Sequence, residues 1–136
     1  MSVAKLVFTN KAKKIEAKII AGDVSYTGNL LPVGARYFKV GTGGHIGTSP
    51  KEPDPTLTDL EEPVLQKDLD GVIYSFTGGL NVITCVAFLD TTEANGYTLY
   101  EIGIFDQQDN MIAYGTFPAI NKTASKNETF TAVIQF

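Results

Sequence analysis

Tryptophan is absent from this 136-residue chain, and cysteine, histidine and arginine occur once each, as Cys85, His45 and Arg36. A single cysteine excludes an intrachain disulfide, and within Asn81-Val82-Ile83-Thr84-Cys85-Val86-Ala87-Phe88 it reads as a small core residue. A catalytic thiol needs a neighbour that lowers its pKa, and only one histidine is on offer. Zinc centres take three or four protein ligands, so His45 by itself falls short; neither a metal nor a cofactor is expected. No stretch approaches the ~18 consecutive apolar residues of a membrane-spanning helix. Met1 to Phe8 also lacks the basic start and long apolar run of an export signal. Positive charge is scarce as well. The net charge is −4, and the one cationic cluster, Lys11, Lys13, Lys14 and Lys18, is interrupted by Glu16. That pattern makes a solvated helix face rather than a phosphate-binding patch, so no nucleic-acid partner is expected.

What is present suits a folded domain: 43% apolar and 19% charged residues. A chain of this length forms one domain, residues 1–136, burying roughly 70% of its unfolded surface. Residues 9–21 predict the one helix. Thr9 or Asn10 caps its start, Ala12, Ile15, Ile19 and Ile20 form an apolar stripe, and Gly22 supplies the left-handed stop. Beyond Gly22 the period becomes strand-like. Arg36 to Val40 reads as a strand, followed by strands at 72–76, 81–89, 97–105, 111–117 and 129–136 with short polar turns between them. The expected fold class is α+β and β-rich, an antiparallel sheet or sandwich with the N-terminal helix packed on it. Residues 41–63 hold four of the six prolines and predict a long loop ordered by a partner, with a helical turn at Thr58 to Glu62 capped by Thr58.

Several motifs invite a chemical reading. Gly41-Thr42-Gly43-Gly44-His45-Ile46-Gly47 is glycine-dense, but it does not open onto a helix and lacks a Gly-Lys-Ser/Thr triplet, so it reads as a flexible loop rather than a phosphate cradle. The acidic residues from Glu52 to Asp70 do not follow a calcium-loop pattern, and no nucleophile-elbow motif occurs. Neither catalytic residues nor a small-molecule substrate are expected.

The alternating strand Tyr100-Glu101-Ile102-Gly103-Ile104-Phe105-Asp106 carries large apolar residues on both faces, which predicts cover on both sides. Glu101 is the anomaly there, since a buried carboxylate needs a cationic or hydrogen-bonding partner. Arg36 is the candidate for a structural pair with Glu101. Removing one member of a buried pair costs about 3–5 kcal/mol. Gly103 predicts a close backbone approach or a bulge.

In that order these motifs resemble the phage tail-collar fibre family, the N-terminal domain of many tail-fibre and related baseplate proteins. The resemblance rests on Thr9-Asn10 through Ala21-Gly22, on Phe38-Lys39-Val40-Gly41-Thr42-Gly43, on the Leu57 to Leu65 turn, and above all on the hairpin Tyr100 to Asp106 with Asn110 to Pro118. It implies a structural virion protein of a phage tail or contractile particle, a homo-oligomer (a trimer) contacting other tail, collar or baseplate proteins. Such a protein is made in the host cytoplasm and carried in the virion. Fibre proteins continue into a shaft and receptor-binding tip; this chain stops at Phe136, which points to an adaptor or short collar component. The expected interface residues are Gly41, Gly43, His45, Pro50, Pro53, Pro55 and Leu57. The alternative is a small carbohydrate-binding or capsid-decorating β-domain using Tyr26, Tyr74 and Tyr97.

Overall fold

Thr9 starts the helix in extended conformation, and its hydroxyl accepts a hydrogen bond from the Ala12 N–H. The computed structural model describes residues 5–22 and 37–135, and within them helix α1 spans Asn10–Ile20. Gly22 follows it at φ +73°, the left-handed stop that the sequence predicts. The apolar stripe is only half used. Ala12 and Ile15 are buried, whereas Ile19 and Ile20 are exposed, because the helix docks on the sheet through its first turns.

Ten strands accompany α1 among the described residues: β1 (Lys5–Phe8), β2 (Tyr37–Gly41), β3 (His45–Ile46), β4 (Ser49–Pro50), β5 (Pro63–Asp68), β6 (Gly71–Thr77), β7 (Leu80–Leu89), β8 (Thr98–Phe105), β9 (Met111–Asn121) and β10 (Glu128–Gln135). They form a five-stranded sheet in the order β1-β9-β8-β2-β5, a three-stranded sheet β10-β7-β6, and the small β3-β4 ladder, with every pairing antiparallel. This is the expected β-rich α+β class with one N-terminal helix. No helix among the described residues is long and apolar enough to cross a membrane.

The two larger sheets share one core. Phe38 and Val40 of β2 and Ile102 and Ile104 of β8 meet Cys85, Ala87 and Leu89 of β7 and Phe130, Ala132 and Ile134 of β10. Phe117 of β9 and Phe130 bring their ring centroids to 5.2 Å, a tilted aromatic contact between the sheets. Lys122 is also buried. Its ammonium donates to Asn95 Oδ1 at 2.9 Å and to the Thr123 carbonyl at 3.0 Å, fastening the β7–β8 connection.

Three local expectations differ from the structure. No helical turn forms at 58–62; bends lie there instead, because the Glu61 and Glu62 N–H groups are claimed by the side chain of Glu101. The chain then enters β5, an edge strand that the sequence pattern does not reveal. Its proline occupies the first position, opposite Gly41 at a register shift, where no ladder N–H is required. Finally, β9 runs past Pro118 to Asn121 rather than stopping at Phe117. Among the described residues the β1 ladder reaches as far as Thr116, and Pro118 takes part in none of the described pairings.

The core contact between sheets predicts that Phe117→Ala lowers stability by about 3–5 kcal/mol, whereas Ile20→Ala changes it by less than ~0.5 kcal/mol. Urea denaturation of the two variants beside the parent measures both.

Candidate functional site

The strand β8 divides its side chains between two layers. Leu99, Ile102 and Ile104 enter the inter-sheet core, while Glu101, Gly103 and Phe105 face the opposite side, under the 41–63 segment. Every residue from Leu99 to Asp106 is buried, as alternating apolar residues on both faces predict. Phe105 stacks on Tyr37 with centroids 4.9 Å apart, and Lys39 sits 4.8 Å above the same ring. An added Cβ at Gly103 would lie 2.6 Å from Leu60 and 2.7 Å from Met111 Sδ, so the missing side chain is what lets Leu60 close over the strand.

Glu101 is fully buried, and its carboxylate is held by four donors. Oε2 accepts from the Gly43 and Glu62 N–H groups, both at 2.9 Å; Oε1 accepts from the Glu61 N–H at 3.0 Å and the Tyr114 hydroxyl at 2.7 Å. The glycine-rich stretch therefore does receive an anion, and the anion is the chain's own carboxylate. Gly41 and Gly43 permit the approach: a Cβ would stand 2.5 Å from Oε2 at Gly41 and 2.8 Å from it at Gly43. Arg36, the expected pair for Glu101, lies outside the described residues, as does Tyr26. The four hydrogen bonds meet the need of a buried carboxylate for strong donors. Both oxygens are engaged and closed off from solvent, so this carboxylate is arranged to hold a segment in place.

The rest of the segment is strapped across the same sheet face. The Lys51 N–H donates to the Gly44 carbonyl at 2.9 Å, and the Thr116 hydroxyl to the Lys51 carbonyl at 2.7 Å. The Asn10 N–H donates to the Pro55 carbonyl at 2.8 Å, tying the segment to the start of α1. Of the residues expected at an interface, Gly41, Gly43 and Pro53 are buried within the chain itself, whereas His45, Pro50, Pro55 and Leu57 are half-buried. His45 stacks on Tyr100 with centroids 3.8 Å apart, and its Nδ1 lies 2.8 Å from the Gly47 carbonyl. The acidic residues are drawn into pairs, Asp59 with Lys39 at 3.1 Å and Glu61 with Lys51 at 2.8 Å. The Asp54 carboxyl is held below its usual range by the Thr56 hydroxyl and amide. Among the described residues no three His, Cys, Asp or Glu side chains are grouped to hold a metal ion.

Two members of the site escape sequence reasoning. Tyr114 looks like one more strand aromatic, yet it donates to Glu101, and burial, then that hydrogen bond and the adjacent charge, push its phenol well above the ordinary value. Tyr37 shifts the same way, through burial and its hydrogen bond to Asp109. Asp106 is buried at the end of β8, where its side chain accepts from the Gln108 N–H at 2.9 Å and the Asn110 N–H at 3.0 Å, fixing the turn into β9. The Asp at the end of an alternating strand, followed by Gln-Gln-Asp-Asn, was the available signal for that cap.

A strand whose alternate residues build a two-sheet core on one face and a carboxylate-locked strap on the other defines a structural module, with its conspicuous residues turned inward. The family described as phage tail-collar fibre protein, N-terminal, matches residues 8–135. The chain belongs to that family and is a structural protein of the phage tail. No curated protein matches it. No solved structure matches it either.

Two outcomes follow from this geometry. Glu101→Gln turns an NH₂ toward groups that are themselves donors, so it destabilises the fold by about 2–4 kcal/mol, and hydrogen exchange at the Glu61 and Glu62 amides accelerates. The Tyr114 phenol keeps its proton more firmly folded than unfolded, where the ordinary value is 10.0. Its contribution is therefore constant below about pH 10 and is lost as the pH rises beyond it. Tyr114→Phe makes the alkaline fall in stability shallower without removing it, since Tyr37 acts in the same direction; denaturation midpoints from pH 8 to 12 report the difference.

Proposed function

We propose that this domain is a mounting component of the tail, acting at a collar, baseplate or fibre attachment point as a homo-oligomer, a trimer, that also contacts other tail proteins. The observation that carries the reading is the use made of strand β8. Glu101, Gly103, Phe105 and Asp106 are all consumed in holding the strap and the turn, so the motif maintains a rigid shape. Rigid shape is what an attachment module contributes, and turnover, cofactor, metal, nucleic acid or small-molecule substrate have no part in this reading. The half-buried residues of the strap, His45, Pro50, Pro55 and Leu57, are the surface offered to neighbouring tail proteins, and an Arg36 contact to Glu101 would add to the lock. Synthesis takes place in the host cytoplasm, with incorporation into the virion tail.

The reading is tested by sedimentation velocity on the purified chain and by immunoblotting of purified particles. A trimer in solution and a band in the particles are expected; a monomer that is missing from particles would sink the proposal.

A further inference from the structure

Lys122 is the one buried cation among the described residues, and its ammonium has only uncharged partners. No carboxylate described lies within ion-pair distance of it. Both ends of this residue engage the same short stretch between β7 and β8. Its ammonium holds Asn95 Oδ1 at 2.9 Å, and its main-chain carbonyl accepts from the Gly96 N–H, also at 2.9 Å. Asn95 Nδ2 donates to the Thr91 carbonyl at 2.8 Å, so the carboxamide is pinned at its oxygen and its nitrogen alike. Ala94 at φ +54° and Gly96 at φ +86° bend the chain into this clasp. Asn95 is exposed, and it forms the chain's one Asn-Gly pair. That pair carries a chemistry of its own. The main-chain nitrogen after an asparagine can attack the side-chain Cγ, and a glycine puts no side chain in the way.

We propose that Asn95-Gly96 is a latent site of deamidation, and that Lys122 is the residue that keeps it latent. In the reaction the Gly96 nitrogen bonds to Asn95 Cγ and the Cγ–Nδ2 bond breaks. The proton lost from the Gly96 N–H leaves with the amide nitrogen as ammonia. Water then opens the cyclic imide at either carbonyl, giving an aspartate or an isoaspartate at position 95, with no oxidant or reductant consumed. Lys122 holds both partners of the first step. The Gly96 N–H must leave the Lys122 carbonyl, and the carboxamide must swing away from the ammonium and from Thr91. The rate is therefore set by the fraction of time the clasp is open. An ammonium on Oδ1 also polarises the carbonyl, which taken alone favours attack. Here the restraint wins, because alignment of the reacting atoms is worth more than one polarising contact. Reaction would place a carboxylate against the Thr91 carbonyl, and an isoaspartate would also lengthen the main chain between β7 and β8. A protein built into a particle is not renewed there, so slow chemistry of this kind accumulates unless the fold restrains it.

The test uses the full chain beside a synthetic peptide of residues 91–100, both kept warm at mildly alkaline pH. Mass spectrometry of the digested samples, with an isoaspartate assay, follows position 95. The parent should react at least roughly tenfold more slowly than the peptide. Lys122→Met keeps a long buried stem and removes the ammonium. It should react roughly tenfold faster than the parent while circular dichroism shows the parent fold. A parent as fast as the peptide would overturn the latent site. A folded Lys122→Met that reacts no faster than the parent would overturn Lys122 as its guard, and a slower one would make the ammonium an activator instead. If that variant does not fold, the parent decides alone. In graded urea below its unfolding transition, reaction at Asn95 should rise in step with hydrogen exchange at the Gly96 amide. Reaction that proceeds while this amide stays protected would sink the proposal.

Discussion

Everything above the five-stranded sheet hangs on one carboxylate. Glu101 is buried without a cationic partner among the described residues at hydrogen-bonding distance, and its charge is balanced by three main-chain N–H groups and one phenol. Peeling the strap away would exchange three charge-assisted main-chain hydrogen bonds for water and strip the strap's own amides of their acceptor. The strap's other contacts follow from this anchor: Leu60 sits over Gly103, Lys51 reaches the Gly44 carbonyl, and Thr116 reaches Lys51 because the chain is already held at 43, 61 and 62.

The same strand shows how tightly a short string of residues is constrained. Ile102 and Ile104 are needed by the inter-sheet core; Glu101, Gly103 and Phe105 are needed by the strap; Asp106 closes the turn. Each position is constrained by a different neighbour, and a one-residue slip in register would exchange the two layers. Alternation of this kind, with a carboxylate and a glycine among isoleucines, makes little sense for a strand with one wet face. It makes full sense for a strand between two packed layers.

How much was readable beforehand follows from where each signal resides. The helix was legible because Thr9, the isoleucine spacing and Gly22 lie within one short window, and β6 to β10 were legible because alternation and polar turns are local. The oddity of Glu101 was legible too. Its donors were not: three are backbone amides lying 39 to 58 positions away, and nearly every residue carries an amide, while the fourth is the hydroxyl of one strand tyrosine among several. For the same reason the turn expected at 58–62 does not form: a distant side chain takes the N–H groups that a local helical turn leaves free. β5 stayed hidden because its proline, lysine and aspartate suppress the strand pattern, and β1 because four residues are too few to show one.

The pairing of β1 with β9 has a consequence in time. The Thr9 hydroxyl donates to the Met111 carbonyl across 102 positions of sequence, and Lys5 to Phe8 zip onto Ala113 to Thr116. A ribosome working at about 5–20 residues per second exposes the first of these segments roughly 5–20 s before the second. During that interval Leu6 and Phe8 have no strand to lie against. β1 thus emerges well before the strand that fastens it, and completion of the five-stranded sheet must wait for β9 to leave the ribosome.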